Sequence, residues 1–375
     1  MEDLPRSLAI LRKLGEQPAT SFFEARVAET IEALLDESGI AHRRDAFGNI
    51  IARVTRTTPD GRQTPRPLAL VAHMDHPGFE ITDVAGSRLQ ARMRGRVSDV
   101  VYLQRVDLIV HCSDGAALRA RTTGTDSDTE ARTLSIEMQE AGDVSLPAYA
   151  VFDLPDFLIR DEYVHMRACD DLAGCAATLA AMEILARETA PIDLYGVFTR
   201  AEEDGLIGAR LLADSGLLPK ETVVVSVESS RALPGAEQGN GVVIRVGDAV
   251  STFTQSAEEV LQAARAKLLT DNPPAPIQRQ LMSGGVCEAS VFLAHGYAAT
   301  GVAFPLAHYH NGFGEDSVQA ESIAVSDFLG GVQLLAEAAR VPSVDAEGAT
   351  GQAAAMYARL RSVPRAEGER LRTTA

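Results

Sequence analysis

Two adjacent glutamates, Glu202 and Glu203, follow an apolar run from Ile192 to Phe198 and precede a Gly205-Leu206-Ile207-Gly208-Ala209 turn leading into a helical pattern. In an open α/β sheet, ligands and catalytic groups collect at the carboxyl ends of strands. Neighbouring side chains in a turn can point in different directions, so one carboxylate can bind a metal while the other holds a water on it. Acidic residues are also favoured in the first turn of any helix by its dipole, so the pair alone does not separate catalysis from capping. Further donors stand at comparable places. His73 ends the run Pro67 to Ala72, Asp170 precedes a helix starting at Leu172, and Glu228 closes the run Thr222 to Val227. His308 and His310 follow the run ending at Phe304. The steps from Asp170 to Glu203 and from Glu203 to Glu228 each suit one βαβ unit, typically about 30 residues. The longer step from His73 to Asp170 leaves room for an insertion. Imidazole and carboxylate donors suit borderline-to-hard divalent ions. A carboxylate can bridge two such ions ~3.5–4 Å apart, and a shared water then becomes acidic enough to attack a carbonyl.

The elements that must carry these residues read as follows. Ser21-Phe22-Phe23-Glu24 fits a capping box ahead of helically spaced Val27, Ile31, Leu34 and Leu35. Asp45-Ala46-Phe47-Gly48-Asn49 is a turn before a strand at Ile50 to Val54. Residues 55–67 form a loop rich in Thr, Pro, Gly and Arg. From Ile81 to Glu162, short segments broken by Gly, Asp and Ser turns, with no long helical pattern, predict a small antiparallel β domain. Strand and helix patterns alternate from Leu172 to Ala339, which predicts βαβ units and a mostly parallel sheet flanked by helices. The expected division is a discontinuous catalytic domain of residues 1–80 and 163–345, an inserted β domain of residues 81–162, and a tail of residues 346–375 forming a frayed helix.

His73-Met74-Asp75, Cys169-Asp170-Asp171-Leu172-Ala173-Gly174-Cys175, the Glu202 to Ala209 stretch and Asp45 to Asn49 resemble, in order, the motifs of the dinuclear zinc aminopeptidases of the tetrahedral-aminopeptidase (glutamyl aminopeptidase) family. The resemblance runs from about residue 8 to 340, with the insertion where that family places its β domain. It implies that His73 and Glu228 hold one metal, that Glu203 and His310 hold the other, and that Asp170 bridges them. It further implies that Glu202 is the general base and that Asp75 orients the His73 imidazole, as partners of metal-bound histidines do. Relatives assemble into homo-oligomers. The chain departs from the family at His76, where an acid is usual, at Leu172 and Ala307, where Arg is usual, and at Glu228, where Asp is usual. Without Arg at 307, both His308 and His310 present themselves as the last ligand; alignment with the motif selects His310. Glutamate at 228 is more usual in the related carboxypeptidases and N-acyl amino acid deacylases. Those enzymes, however, insert a lid between Glu228 and the last histidine, a stretch that here reads as core strands and helices.

The expected activity is metal-dependent removal of N-terminal residues from short peptides, with two divalent ions, zinc first and cobalt or manganese also compatible. The same chemistry on a C-terminal residue or an N-substituted amino acid is the nearest alternative, and a non-catalytic scaffold is the more distant one. Asp171 reads as an N-cap, Cys169 and Cys175 as packing residues, and His111, His165 and His295 as structural or exposed. The chain of 375 residues carries 35 basic against 52 acidic side chains, a formal charge of −17. That balance argues against nucleic-acid or anionic-membrane binding. Four cysteines without a CxxC pair, an acidic start without signal-peptide features and no long apolar run lead to the expectation of a cytoplasmic protein.

Overall fold

Aliphatic and β-branched runs that are apolar at every position must be covered on both faces, and here they form the centre of one sheet. The computed structural model describes residues 5–58, 65–271, 276–341 and 359. Its eight-stranded sheet runs, edge to edge, through Ala41–Arg44, Ile50–Arg56, Ile192–Thr199, Leu68–His73, Val223–Arg231, Ala298–Leu306, Val243–Gly247 and Gln278–Leu281. The four strands from Ile192–Thr199 to Ala298–Leu306 are mutually parallel. Antiparallel pairings flank them on both sides, and the outermost pair, Val243–Gly247 with Gln278–Leu281, is parallel again, so the sheet is mixed. Crossover segments containing helices return the chain for the parallel pairs, whereas the antiparallel pair Ala41–Arg44 with Ile50–Arg56 is closed by a short turn.

Alternation along each strand sends side chains to two helical layers. Leu68, Leu70 and Ala72 pack towards the helices Arg6–Gly15, Ala25–Glu37, Leu172–Ala186, Gln255–Asp271 and Val325–Arg340. Ala69 and Val71 pack towards Ile207–Ser215 and Glu288–Ala294. The helix Leu172–Ala186 is buried around nearly its whole circumference, which its Ala- and Leu-rich sequence permits. The parallel register sets Thr199 opposite His73 and Glu228 opposite Ala303. The carboxyl ends of neighbouring strands therefore deliver their side chains to one edge.

Residues 78–152 contain six strands, Gly78–Ala85, Arg88–Arg94, Asp107–His111, Ala117–Thr122, Thr133–Met138 and Ala148–Phe152. They pair antiparallel throughout and close into a barrel around a separate core that includes Phe79, Leu89, Val110, Ile136 and Phe152. Closure removes exposed strand edges. Beyond the barrel, Leu158–Arg160 and Tyr163–Met166 form a small sheet with Glu321–Ala324.

The capping-box expectation fails in detail. The helix begins at Ala25, with Glu24 at its N-cap and no side-chain cap bond. The Ser21 hydroxyl donates to Asp75 instead, and the Glu24 carboxylate accepts from Arg200 and Ala201 as well as from the local Phe22 N–H, so tertiary partners take the hydroxyl and share the carboxylate. The tail expected from residue 346 lies, except for residue 359, outside the described residues. Among the described residues, no helix is long and apolar enough to cross a membrane.

Candidate metal centre

The turn carrying Glu202 and Glu203 is held from three directions. Asn49 accepts the Arg200 N–H through Oδ1 and donates from Nδ2 to Asp45 and to the Gly208 carbonyl, so the Asp45 to Asn49 turn clamps the glutamate turn. A side chain at Gly208 would collide with Asn49 and the Arg200 backbone, since its Cβ would lie 2.5 Å from both Asn49 Oδ1 and the Arg200 carbonyl. Glu24 takes the Ala201 N–H and the Arg200 guanidinium, at 3.0 and 2.7 Å. Asp75 takes the amides of Glu202 and Glu203, at 2.9 and 3.1 Å, together with the Ser21 hydroxyl. Ala201 and Leu206 adopt left-handed backbone at φ 50° and 59°. Such conformations are uncommon outside glycine and gather at functional sites when surrounding contacts enforce them.

These constraints bring the expected donors together. His73 Nε2 lies 3.3 Å from Asp170 Oδ1, 3.8 Å from Glu228 and 4.0 Å from Glu202. His310 Nε2 lies 3.1 Å from Glu203 and 3.6 Å from Asp170 Oδ2. Asp170 thus faces one imidazole with each oxygen. His308 points away, bonding Glu315 through Nδ1 at 3.0 Å, so of the two candidate histidines the cluster contains His310. Asp171 caps the helix Leu172–Ala186 through the Gly174 N–H and also accepts the His73 N–H at 3.3 Å. Cys169 and Cys175 are fully buried.

Both imidazoles are oriented by main-chain carbonyls. His73 Nδ1 donates to the Asp75 carbonyl at 3.0 Å, and His310 Nδ1 to the Arg96 carbonyl at 2.7 Å. A carbonyl can only accept, so each Nδ1 carries the proton and each Nε2 faces the carboxylates. Asp75 therefore orients His73 through its backbone. Its carboxylate, with Oδ1 3.6 Å from His73 Nδ1, is spent on Ser21 and the two glutamate amides.

The cluster is electrostatically incomplete as protein alone. Burial, with neighbouring acids, holds Glu202 and Glu203 well above the usual carboxylate range and raises Glu228 as well, despite relief from His73. Burial pushes His73 down, but Glu202, Asp170 and Asp75 outweigh it and raise the imidazole well above its ordinary value. For His310 burial wins and the pKa falls to about 4. Asp170 Oδ1 and Glu203 Oε1 are buried without a hydrogen-bond partner among the described residues. Such groups are costly unless a cation or donor meets them. The donor atoms of Asp170, Glu203 and His310 lie within 4.8 Å of one another, as do those of His73, Glu202 and Glu203 and those of His73, Asp171 and Glu228. Two imidazoles and several carboxylates with orphaned oxygens fit divalent cations.

Several contributors escaped the sequence reading. Glu321, fully buried, accepts the Asp170 N–H at 2.9 Å and the His310 N–H at 2.8 Å, bracketing two of the donors. Arg96 reaches the site from the segment after the barrel strand Arg88–Arg94. His76 contacts the Asp170 carbonyl through Nδ1 and Asn311 Oδ1 through Nε2. His308, His310 and Asn311 all have positive φ, between 49° and 55°. No local motif marks these contacts; only the three-dimensional register does.

Residues 48–320 match the M42 glutamyl aminopeptidase family. The chain belongs to this family. As an M42 member it is a metal-dependent aminopeptidase, a peptide hydrolase, which disfavours the carboxypeptidase and deacylase alternative. The M42 chain resembles an aminopeptidase of the archaeon Desulfurococcus kamchatkensis at 22% identity and TM-score 0.74, over 90% of this chain and 96% of that one. It resembles the TET1 peptidase of Pyrococcus horikoshii, which assembles into a tetrahedron or a large octahedral shell, at 22% identity and TM-score 0.72, over 89% and 99%. A TET aminopeptidase from a marine sediment thaumarchaeon matches at 17% identity and TM-score 0.76, over 92% and 99%. At these identities the likeness is one of fold.

Proposed function

We propose that this M42 protein releases N-terminal residues from short peptides at a centre of two divalent ions, zinc first among them. His73 and Glu228 would hold one ion, Glu203 and His310 the other, with Asp170 shared. The reading rests on one observation above the rest: the two oxygens of Asp170 each face a different imidazole, at 3.3 and 3.6 Å. Bound there, two such ions supply Lewis-acid polarisation of the scissile carbonyl and acidification of a water. Glu202 is the carboxylate left to move protons, since its side chain is the most open of the three glutamates, 12% exposed against 5% for Glu203 and 7% for Glu228. It would accept the proton of the attacking water and return it to the leaving amine, the ordinary duty of a general base turned acid. Asp75, through the two glutamate amides, fixes the turn while this happens. His and carboxylate donors accept cobalt and manganese as well as zinc, so elemental analysis of purified protein identifies the ion.

We also read the barrel as a domain inserted between two halves of the catalytic domain, with boundaries near residues 81 and 162. The likeness to assembling TET peptidases supports a homo-oligomer. The four free, buried cysteines accord with a cytoplasmic protein. The decisive experiment compares wild type with Glu202→Gln on aminoacyl anilides, N-blocked peptides and N-acyl amino acids. Wild type should cleave only free-amine substrates, and Glu202→Gln should retain its metal while turnover falls on the order of 10²–10⁴-fold. Cleavage confined to blocked substrates, or a fully active Glu202→Gln, would overturn the assignment.

A further inference from the structure

Tyr309 lines the pocket in which His73, Asp170, Glu202, Glu203 and Glu228 meet. Successive side chains diverge by about 100° on a helix and point to opposite faces on a strand. Left-handed backbone at His308, His310 and Asn311, with φ 53°, 49° and 55°, breaks that rule here. It lays the Tyr309 and His310 rings on each other, with centroids 3.7 Å apart and planes at 23°. Both residues are tied through their main chain. Glu321 accepts the His310 N–H at 2.8 Å, and the Tyr309 carbonyl accepts the Phe313 N–H at 2.8 Å. The guanidinium carbon of Arg231, itself bonded to the Phe313 carbonyl, lies over the Tyr309 ring at 5.3 Å from the centroid. The ring is therefore fixed, and its hydroxyl is the end left to act. Among the described residues that hydroxyl has no hydrogen-bond partner, and it is not sealed from solvent. It faces Gly285, where a Cβ would lie 3.9 Å away, and neighbouring Gly284 borders open space, since a Cβ there would meet nothing within 4 Å. Other donors in this wall are committed: Ser229 to the Cys169 carbonyl and Arg245 to the Ser230 hydroxyl.

We propose that Tyr309 is a catalytic residue of this hydrolase, donating a hydrogen bond to the oxygen of the scissile carbonyl as that oxygen becomes negative. The inference rests on the aminopeptidase reading of the site. When the water oxygen bonds to the carbonyl carbon, the π pair moves onto the carbonyl oxygen. Tyr309 keeps its proton, which a phenol holds at neutral pH, and shares it with that oxygen. When the C–N bond breaks, the pair returns to the carbonyl and the amine leaves with the proton carried by Glu202. An oxygen gaining charge beside Asp170 and three glutamates needs a donor to offset their repulsion. One already held in place by His310 and Arg231 needs no reorganisation at the moment of reaction. Glu202 and Tyr309 thus divide the work, the first moving a proton and the second holding one still.

The test uses the full-length, metal-loaded enzyme and Tyr309→Phe, which keeps the ring on His310 and removes only the hydroxyl. With an aminoacyl anilide, kcat should fall by about 10²–10³-fold, the usual effect of removing one donor to a developing oxyanion, while KM stays near that of wild type. Metal affinity, measured by competition with a chelator, should not change. The second readout is inhibitor binding. Leucine carries a planar carboxylate, whereas its aminophosphonic acid analogue presents tetrahedral oxygens like those of the addition step. Tyr309→Phe should weaken the analogue by about 10-fold or more and leave leucine nearly unaffected, because transition-state donors bind the ground state less well. Equal weakening of both inhibitors, a fall in metal affinity that accounts for the lost turnover, or a kcat equal to wild type would each overturn this role and leave the aminopeptidase reading standing. No cleavage of any free-amine substrate by metal-loaded wild type would remove both.

Discussion

At the scale of single residues, the site depends on side chains that never touch a substrate. Glu321 offers one oxygen to the Asp170 amide and the other to the His310 amide. Glutamine there has one acceptor oxygen, so Glu321→Gln frees one of the two segments. The expected result is a 10–100-fold weaker metal affinity, as for partners of metal ligands generally, measured by competition with a chromogenic chelator. An unchanged affinity would remove Glu321 from this role. Glu288 gives a second prediction. Fully buried and bonded to the Thr199 hydroxyl, it is raised by burial from 4.5 to about 8. Between those two values the unfolded chain has lost a proton that the folded chain keeps, so this group makes stability fall as pH rises across the window. In metal-stripped protein, Tm should therefore decline from pH 5 to pH 8, and the decline should be smaller in Glu288→Gln. Equal slopes for the two proteins would contradict the assignment.

At the scale of elements, the centre depends on how closely the helix Leu172–Ala186 lies on the sheet. Gly196, in the strand that leads to the glutamate turn, faces that helix, and a Cβ there would sit 2.2 Å from Met182 Sδ. Gly196→Ala should destabilise the protein by about 1–3 kcal/mol, the usual effect of overpacking, read as a fall in the denaturation midpoint. A neutral result would mean that Met182 yields freely. Much of this architecture was legible in the sequence. Apolar runs such as Leu68 to Ala72 and Val223 to Val227 marked buried strands, and a donor at each run's end marked the edge that becomes the site. The mixed character of the sheet was not legible, because strand direction at the edges is set by tertiary connection and not by composition. The misplaced helix start at Ser21 has the same origin: its hydroxyl and Glu24 look like a local cap, yet both serve the glutamate turn. Glu321 and Asn311 were invisible for a related reason, since each acts through contacts between segments distant in sequence.

At the scale of the whole molecule, the barrel and the sheet meet at the site. Arg94, on a barrel strand, bonds Asp204 of the glutamate turn at 2.8 Å, pairs with Glu80 and lies over the Phe22 ring with its guanidinium carbon 4.8 Å from the centroid. Arg94→Ala leaves Asp204 with Arg132, 3.7 Å away. It should lower kcat/KM by about 10-fold through misplacement of the turn, in a peptide-cleavage assay at fixed ionic strength. A kcat/KM equal to wild type would mean that the clamp from Asn49, Glu24 and Asp75 holds the turn alone. The barrel's second contribution to the site is of another kind. The Arg96 carbonyl sets the His310 tautomer, as the Asp75 carbonyl sets that of His73. Every amino acid owns a carbonyl, so the proton placement on both imidazoles is written in the path of the chain and not in the identity of residues 75 and 96. The residue type at position 96 can then change while the histidine keeps its orientation, and a comparison by residue type alone would overlook this constraint.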